Sequence, residues 1–201
     1  ADDATFDYVH GRDYAPKGAA WEDALAAWRL HSSDEGAEYD RTISVDCTEI
    51  APQVTWGTSP QDAIAVDGRI PDPSSAADAD KRQSSGRALD YMGLVPGAPI
   101  EGLPIDYAFI GSCTNGRLSD LAEAARLVKG RTVAVGVRAL VVPGSSQVKR
   151  AAEAEGLDRV FKEACFEWRE SGCSMFVAAN GDALPPGKRA LSPTNRTFEN
   201  P

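Results

Sequence analysis

Apolar residues recur along the N-terminal part of the chain with two different periods, and each period predicts a different element. In "AWEDALAAWRLHSSDEGAEY" (20–39), Trp21, Leu25 and Trp28 recur at helical spacing, and the "SSDEG" stretch ends the predicted helix. In "RTISVDCTEI" (41–50), apolar and polar residues alternate, which predicts a strand. The chain therefore begins with a small segment of mixed helix and strand.

The next stretch is rich in residues that interrupt regular structure. "APQVTWGTSPQD" (51–62) contains two prolines and a glycine, and we interpret it as a loop. "DGRIPDPSSAADADKRQSSG" (67–86) is rich in Pro, Ser and Asp, which indicates a surface connection. A domain boundary falls most naturally here, so we predict domains over 1–75 and 76–201.

From residue 105 onwards a strand, a turn and a helix follow one another repeatedly. "DYAFIGSC" predicts a buried strand, and "NGRLSDLAEAARLVKG" a helix with Gly130 at its C-cap. "VRALVVPGSSQ" (137–147) predicts a second strand and turn, and "SQVKRAAEAEGL" a helix ending at Gly156. "RVFKEACFEW" is typical of a third, short helix, and "MFVAAN" (175–180) of a third strand or a buried segment. Such alternation predicts an α/β domain with a parallel sheet, whose carboxyl edge carries the functional turns.

Composition and charge remove several classes of function. The 201 residues are 42% hydrophobic and carry a formal net charge of −9, which argues against nucleic acid as a partner. No apolar run reaches the length of a membrane span, and no signal peptide is recognisable, so we expect a cytoplasmic protein that does not bind membranes. His10 and His31 lie in polar surroundings, which is typical of solvated histidines rather than zinc ligands.

The four cysteines show no spacing typical of a disulfide framework, and reduced thiols are expected. Cys113 lies in "GSCTN" (111–115) just before a predicted helix, where main-chain N–H groups favour a thiolate or a bound anion. Equally, "TN" could cap the helix while Cys113 is a small buried apolar residue. The residues by themselves leave both interpretations open.

Three further stretches resemble ligand turns but have ordinary structural interpretations. "PGSSQ" could hold a carboxylate or phosphate, although Ser146 as a helix N-cap is favoured. "GCSMF" offers Cys173 with Phe176 three residues later, where a C-x-x-C pair would be the stronger ligand signal. Near the end of the chain, Asn195 and Arg196 could bind a carboxylate or could be solvated.

Taken together, these motifs resemble a known family. "FIGSCTNGRLSDL", "ALVVPGSSQVK", "FEWRESGCSM" and "PPGKRALSPTNRTFE" occur in the order and spacing of isopropylmalate dehydratase large subunits, in the aconitase family. The upstream half, including "TFDYVHGRDYAPKG", resembles them as well. The resemblance implies an aconitase-like three-layer α/β/α domain with a mainly parallel sheet, preceded by a smaller segment from the end of the family's second domain.

The resemblance also implies a chemistry. Family members hold a [4Fe-4S] cluster through three cysteines, and an open iron binds the hydroxyl and carboxylate of the substrate while water is removed and re-added. By resemblance Cys113 and Cys173 would be cluster ligands, while Asn115, Asn195 and Arg196 would bind a dicarboxylate substrate. A separate small subunit would supply further substrate contacts. No residue of this chain is predicted to be catalytic by itself.

Some residues of this chain differ from the family's cluster and active-site motifs. Phe176 stands where the third cluster cysteine belongs, and Asn200 and Pro201 replace an active-site arginine motif. We therefore expect the cluster to be absent or incomplete, and the chain to be a catalytically inactive part of a longer large subunit. The alternative is a degenerate domain that serves for binding or assembly. A mononuclear metal on two cysteines ranks last, and we expect that Cys165 does not replace the lost ligand.

Overall fold

The computed structural model describes residues 2–177 and 182–193. It divides into two compact units, residues 1–49 and 50–201. This division follows contacts within the chain. The predicted assignment of 1–75 and 76–201 to two domains of the longer family proteins stays a prediction.

The first unit is built on two helices, α1 (Asp3–Val9) and α2 (Ala19–Arg29). Asp2 caps α1 by accepting a hydrogen bond from the Thr5 main-chain N–H at 2.9 Å. Trp21 and Trp28 meet edge to face with ring centroids 5.7 Å apart, and Phe6 stacks on Trp28. The predicted helix is thereby confirmed, because its apolar stripe is the face that packs on α1.

The strand predicted over residues 41–50 is wrong. Residues 41–46 form no regular element, and a 3₁₀ turn follows at Cys47–Glu49. Ile43 and Val45 are 69% and 62% exposed. Alternation becomes a strand only where a neighbouring strand supplies hydrogen bonds and a core covers the apolar face. The described residues of the first unit offer neither.

The second unit begins with an antiparallel pair of strands, β1 (Gln53–Thr55) and β2 (Ala63–Ala65). The loop predicted over 51–62 therefore contains a short strand. The predicted surface connection, 67–86, is also shorter than expected, because Ile70 is buried and α3 (Ala79–Met92) begins within it. Asp78 caps α3 through the Asp80 N–H, and Gly93 ends the helix in the left-handed conformation.

The rest of the second unit alternates four parallel strands with helices. The strands are β3 (Tyr107–Gly111), β4 (Arg138–Val142), β5 (Glu167–Trp168) and β6 (Ala190–Leu191). The helices are α4 (Ser112–Asn115), α5 (Leu118–Val128), α6 (Ser146–Ala154) and α7 (Leu157–Glu163). The spatial order is β5-β4-β3-β6 with all pairs parallel, which confirms the predicted α/β class and parallel sheet.

The core lies on both faces of this sheet, as the side-chain alternation of β4 requires. Val141 packs with Leu121, Ala125 and Phe161 of α5 and α7. Leu140 and Val142 point to the other face, where Met175 covers them among the described residues. These residues are almost wholly inaccessible to solvent. Strands β3 and β4 therefore form a rigid base for the turns that follow them.

Two elements near the end of the chain differ from the predictions. The third helix is shorter than "RVFKEACFEW", because its last residues form strand β5. Of the predicted strand or buried segment over 175–180, the first residues belong to a 3₁₀ turn at 174–177 and Met175 is buried, whereas residues 178–180 lie outside the described residues. Short apolar runs fit a strand or a turn equally well by periodicity, so their tertiary partners decide.

Candidate functional site

The turn after β3 begins where two strands touch backbone to backbone. Gly111 is paired with Val142 and has φ +114°. A Cβ atom on Gly111 would lie 1.9 Å from the Val142 carbonyl oxygen, so no other residue fits without moving β4. The glycine allows the chain to leave the sheet at this point and to enter α4.

Cys113 lies on α4 and is exposed. Ser112, just before it, is fully buried with φ +73°, and its Oγ has no hydrogen-bond partner among the described residues. The neighbouring Thr114 hydroxyl donates to Asn115 Oδ1 at 3.0 Å, and Asn115 is half-buried. This short segment thus presents the Cys113 thiol to solvent at the carboxyl end of β3.

The plain structural interpretation of "GSCTN" is wrong on both of its points. Cys113 is exposed, so it is not a buried apolar residue. Thr114 and Asn115 do not cap α5, which starts later, and the Asp120 carboxylate accepts the Arg117 main-chain N–H there at 3.0 Å. The thiolate interpretation of Cys113 stays a prediction.

The turn after β4 packs directly on the Cys113 turn. The Gly144 N–H donates to the Gly116 carbonyl oxygen at 2.8 Å. Ser145 caps α6 by accepting the Val148 N–H at 3.2 Å, so the predicted cap at Ser146 is wrong by one residue. Ser145 has the extended backbone of a cap residue, whereas Ser146 is already the first residue of the helix.

Cys173 follows β5 and is half-buried. The next residue, Ser174, is buried with φ +48°, and its hydroxyl donates to Asp182 Oδ2 at 2.7 Å. Arg169 donates to the other oxygen of Asp182 at 2.5 Å. We call Arg169, Asp182 and Ser174 the carboxylate clamp. The clamp fixes the turn that carries Cys173.

Charges along β5 extend the clamp. Arg138 on β4 forms a bidentate ion pair with Glu167, at 2.6 and 2.9 Å, and its hydrogen bonds lower the pKa of the Glu167 carboxyl.

Burial by itself would raise the pKa of Asp182. Hydrogen bonds from Ser174 and Arg169 outweigh it and lower that pKa below the usual range. Asp182 is therefore ionised despite being buried.

The sheet topology determines which predicted residues come together. The turns carrying Cys113, Ser145 and Cys173 follow three adjacent parallel strands, so they lie at one edge of the sheet. Strand β6 runs parallel to β3, so its carboxyl end faces the same edge. Asn195 and Arg196 lie outside the described residues.

Cys165 lies at the opposite edge. It precedes β5, and the pairing of Glu167 with Leu140 places it level with the amino end of β4. About 13 Å of strand separates that end from Val142, where the other turns begin. Cys47 belongs to the first unit. The expectation that Cys165 does not replace a lost ligand therefore has a geometric reason.

Sequence reasoning missed the clamp. Arg169 and Ser174 lie inside the motif "FEWRESGCSM", but Asp182 follows eight residues after Ser174 and belongs to no recognisable pattern. The available signal was an arginine directly after a strand at the functional edge. The sequence does not identify the acidic partner of this arginine.

The comparisons with known proteins agree with these observations. The profile of the aconitase family (aconitate hydratase) matches residues 1–200. The chain belongs to the aconitase family. It is 59% identical over 197 residues to "3-isopropylmalate dehydratase large subunit 1" of Bradyrhizobium diazoefficiens. It is 60% identical to the large subunit from Cupriavidus necator and 55% identical to that from Roseiflexus castenholzii.

These matches cover 98% of this chain but different shares of the relatives. The chain spans 41% and 42% of the Bradyrhizobium and Roseiflexus proteins, and 74% of the Cupriavidus protein. The activity, substrate and partner of a whole aconitase-family protein are therefore matters of proposal for this chain.

The donor set does not fit the three-cysteine cluster that the family implies. Cys113 and Cys173 lie at the carboxyl edge of the sheet, and Phe176, which the resemblance puts at the third ligand position, has no metal-binding atom. Within 2–177 and 182–193, no three His, Cys, Asp or Glu side chains are grouped to hold a metal ion. In the same ranges, no helix is long and apolar enough to cross a membrane.

Proposed function

We propose that this chain is part of a 3-isopropylmalate dehydratase large subunit, the hydro-lyase that interconverts 2- and 3-isopropylmalate in leucine biosynthesis. The main support is that the turns carrying Cys113 and Cys173 both follow parallel strands and lie at one edge of the sheet. The chain is also 55–60% identical to curated large subunits over 98% of its length. For a biosynthetic role of this kind we expect a cytoplasmic protein.

The 201 residues by themselves are proposed to be inactive. Two thiolates fall short of the three that hold the family's cluster, and Phe176 cannot supply a third. Without an open iron at this edge there is no Lewis acid for the substrate hydroxyl. No step of the reaction is therefore assigned to this chain's residues.

Substrate binding is proposed for polar groups around the same edge. Asn115 is half-buried beside the exposed Cys113, and Asn195 and Arg196 follow a strand whose carboxyl end faces this edge. An arginine and two amides suit a dicarboxylate, because planar donors bind carboxylate oxygens in pairs. The partner would be a small subunit that completes the substrate site.

Anaerobic reconstitution tests the proposed inactivity. The protein is incubated with ferrous iron and sulfide, desalted, and assayed for iron, sulfide, visible absorption and isomerisation of 2-isopropylmalate with a small subunit added. We expect substoichiometric iron, no cluster absorption and no turnover. A stoichiometric cubane cluster with turnover would overturn the proposal.

A second function is favoured by one observation, namely that two hydrogen bonds to Asp182 hold the Cys173 turn. A turn of this kind could survive in a degenerate domain that binds dicarboxylates or assembles with a partner. Calorimetry against 2- and 3-isopropylmalate and citrate, without iron, separates the two. Micromolar affinity would favour the binding module, whereas no detectable heat would favour the incomplete enzyme.

A further inference from the structure

Ser174 adopts a backbone conformation that needs outside support. It is a non-glycine residue with φ +48°, and it is 2% exposed. Left-handed backbone is unfavourable for a residue with a Cβ atom, and it persists only where the surroundings enforce it. Cys173 is the residue directly before it, so whatever enforces the conformation of Ser174 also sets the direction of the Cys173 side chain.

The supporting contact is a chain of hydrogen bonds that begins on the sheet. The Arg169 main-chain N–H donates to the Val141 carbonyl oxygen at 2.9 Å, which makes Arg169 an extension of β5. Its guanidinium binds Asp182 Oδ1, and Asp182 Oδ2 accepts the Ser174 hydroxyl. Each oxygen of the carboxylate thus has its own donor, one on the sheet and one on the turn.

Burial makes this carboxylate hard to replace. The Asp182 side chain is 4% exposed, whereas that of Arg169 is 33% exposed. Water cannot readily take the place of a lost donor at such a site, so a neutral side chain weakens both bonds together.

Met175 anchors the same turn in a different way. It packs against Phe109, Leu140 and Val142 beneath the turn. Apolar burial holds the turn on the sheet, but it is non-directional and does not fix the rotation of the preceding residues. The orientation of Cys173 is left to the hydrogen bonds of Ser174.

We propose that Asp182 is the positioning residue of the Cys173 turn, holding Cys173 half-buried at the carboxyl edge of the sheet in the metal-free protein. This goes beyond the proposed function, because it concerns the metal-free protein and requires no isomerase activity. Cysteine reactivity and hydrogen exchange test it even if the dicarboxylate or the cluster assignment fails.

The test compares Asp182→Asn with Asp158→Asn in the metal-free protein. Asp158 is a suitable control, because its side chain is 14% exposed and accepts from Lys162 at 2.8 Å, on a helix away from the Cys173 turn. Each protein is alkylated with iodoacetamide, and the rate at each cysteine is read by peptide mass spectrometry. Asp182→Asn should speed alkylation of Cys173 on the order of tenfold, since local opening is no longer opposed. Asp158→Asn should leave that rate unchanged.

Hydrogen exchange separates positioning from a general loss of stability. Opening of the clamp should raise exchange in residues 170–177 and leave β3 and β4 protected. Ser174→Ala provides a second variant if Asp182→Asn does not fold, because it removes one hydroxyl and keeps the buried ion pair. Ser174→Ala should also increase the alkylation rate of Cys173. The proposal is overturned if Cys173 reacts at the parent rate in both variants, or if β3 and β4 lose protection in parallel with the turn.

Discussion

Gly144 donates its main-chain N–H to the carbonyl oxygen of Gly116 across 2.8 Å, which joins the turn after β4 to the turn after β3. A Cβ atom on Gly116 would lie 2.7 Å from the Gly144 nitrogen, and one on Gly144 would lie 2.9 Å from the Gly116 oxygen. The close approach exists because both residues lack side chains. The Cys113 turn is therefore held by backbone contact with its neighbour.

Gly116→Ala should destabilise the protein by about 2 kcal/mol or more, because the neighbouring backbone must move to admit the methyl group. Urea unfolding followed by far-UV circular dichroism measures this. Gly86→Ala is the matched control, since its Cβ would meet no atom within 4 Å inside α3. Alanine there should be neutral or stabilise by up to ~1 kcal/mol. Equal losses in both variants would contradict the backbone-contact account.

Acid should weaken the second unit partly through Asp182. The pKa of Asp182 is lowered in the folded protein, so its carboxylate stabilises the fold above the ordinary value of 3.8. That contribution is lost as the pH falls through the lower, folded-state pKa. Unfolding free energies measured from pH 5 downwards should therefore fall less steeply in Asp182→Asn than in the parent. Parallel slopes would show that folding does not lower the pKa of Asp182.

Arg189 should contribute more to stability than the neighbouring Lys188. The Arg189 guanidinium donates to the carbonyl oxygens of Met92 at 3.0 Å and Pro104 at 3.1 Å, and so satisfies the end of α3. Arg189→Met should cost about 1–2 kcal/mol, since the Met92 and Pro104 carbonyl oxygens lose a charged donor. Thermal unfolding of the variant provides the measurement.

Lys188→Met is the control for this comparison. Lys188 pairs with Asp106 at 2.8 Å, and both side chains are substantially exposed. Exposed ion pairs of this kind contribute little to folding. A Lys188 variant that loses as much stability as the Arg189 variant would mean that α3 is not held by the arginine.

Residues with strong local patterns were predictable from the sequence, and residues that depend on distant partners were not. Strands β3 and β4 and helices α5 and α6 follow from buried runs bounded by glycine turns. Residues 41–46 have the alternation of a strand but form none, because a pattern cannot supply the neighbouring strand.

The residues of the candidate site also fall into some that the sequence predicts and some that it does not. Cys113 and Cys173 were identified from their turns, and the sheet order places both turns at one edge. Asp182 was not found, because its role depends on contacts with Arg169 and Ser174 across 13 and 8 residues of chain. Neither contact leaves a periodic signal in the sequence.

We propose that one residue, phenylalanine at position 176, prevents this chain from holding the family's cluster. Phe176→Cys restores a C-x-x-C pair with Cys173, and Phe176→Ala removes the ring without adding a ligand.

Iron and sulfide are quantified in the parent and both variants after anaerobic reconstitution. We expect about four iron atoms per chain for Phe176→Cys, with cluster absorption, and only trace iron in the parent and in Phe176→Ala. A full cluster in the parent, or no cluster in Phe176→Cys when the protein is folded, would contradict it.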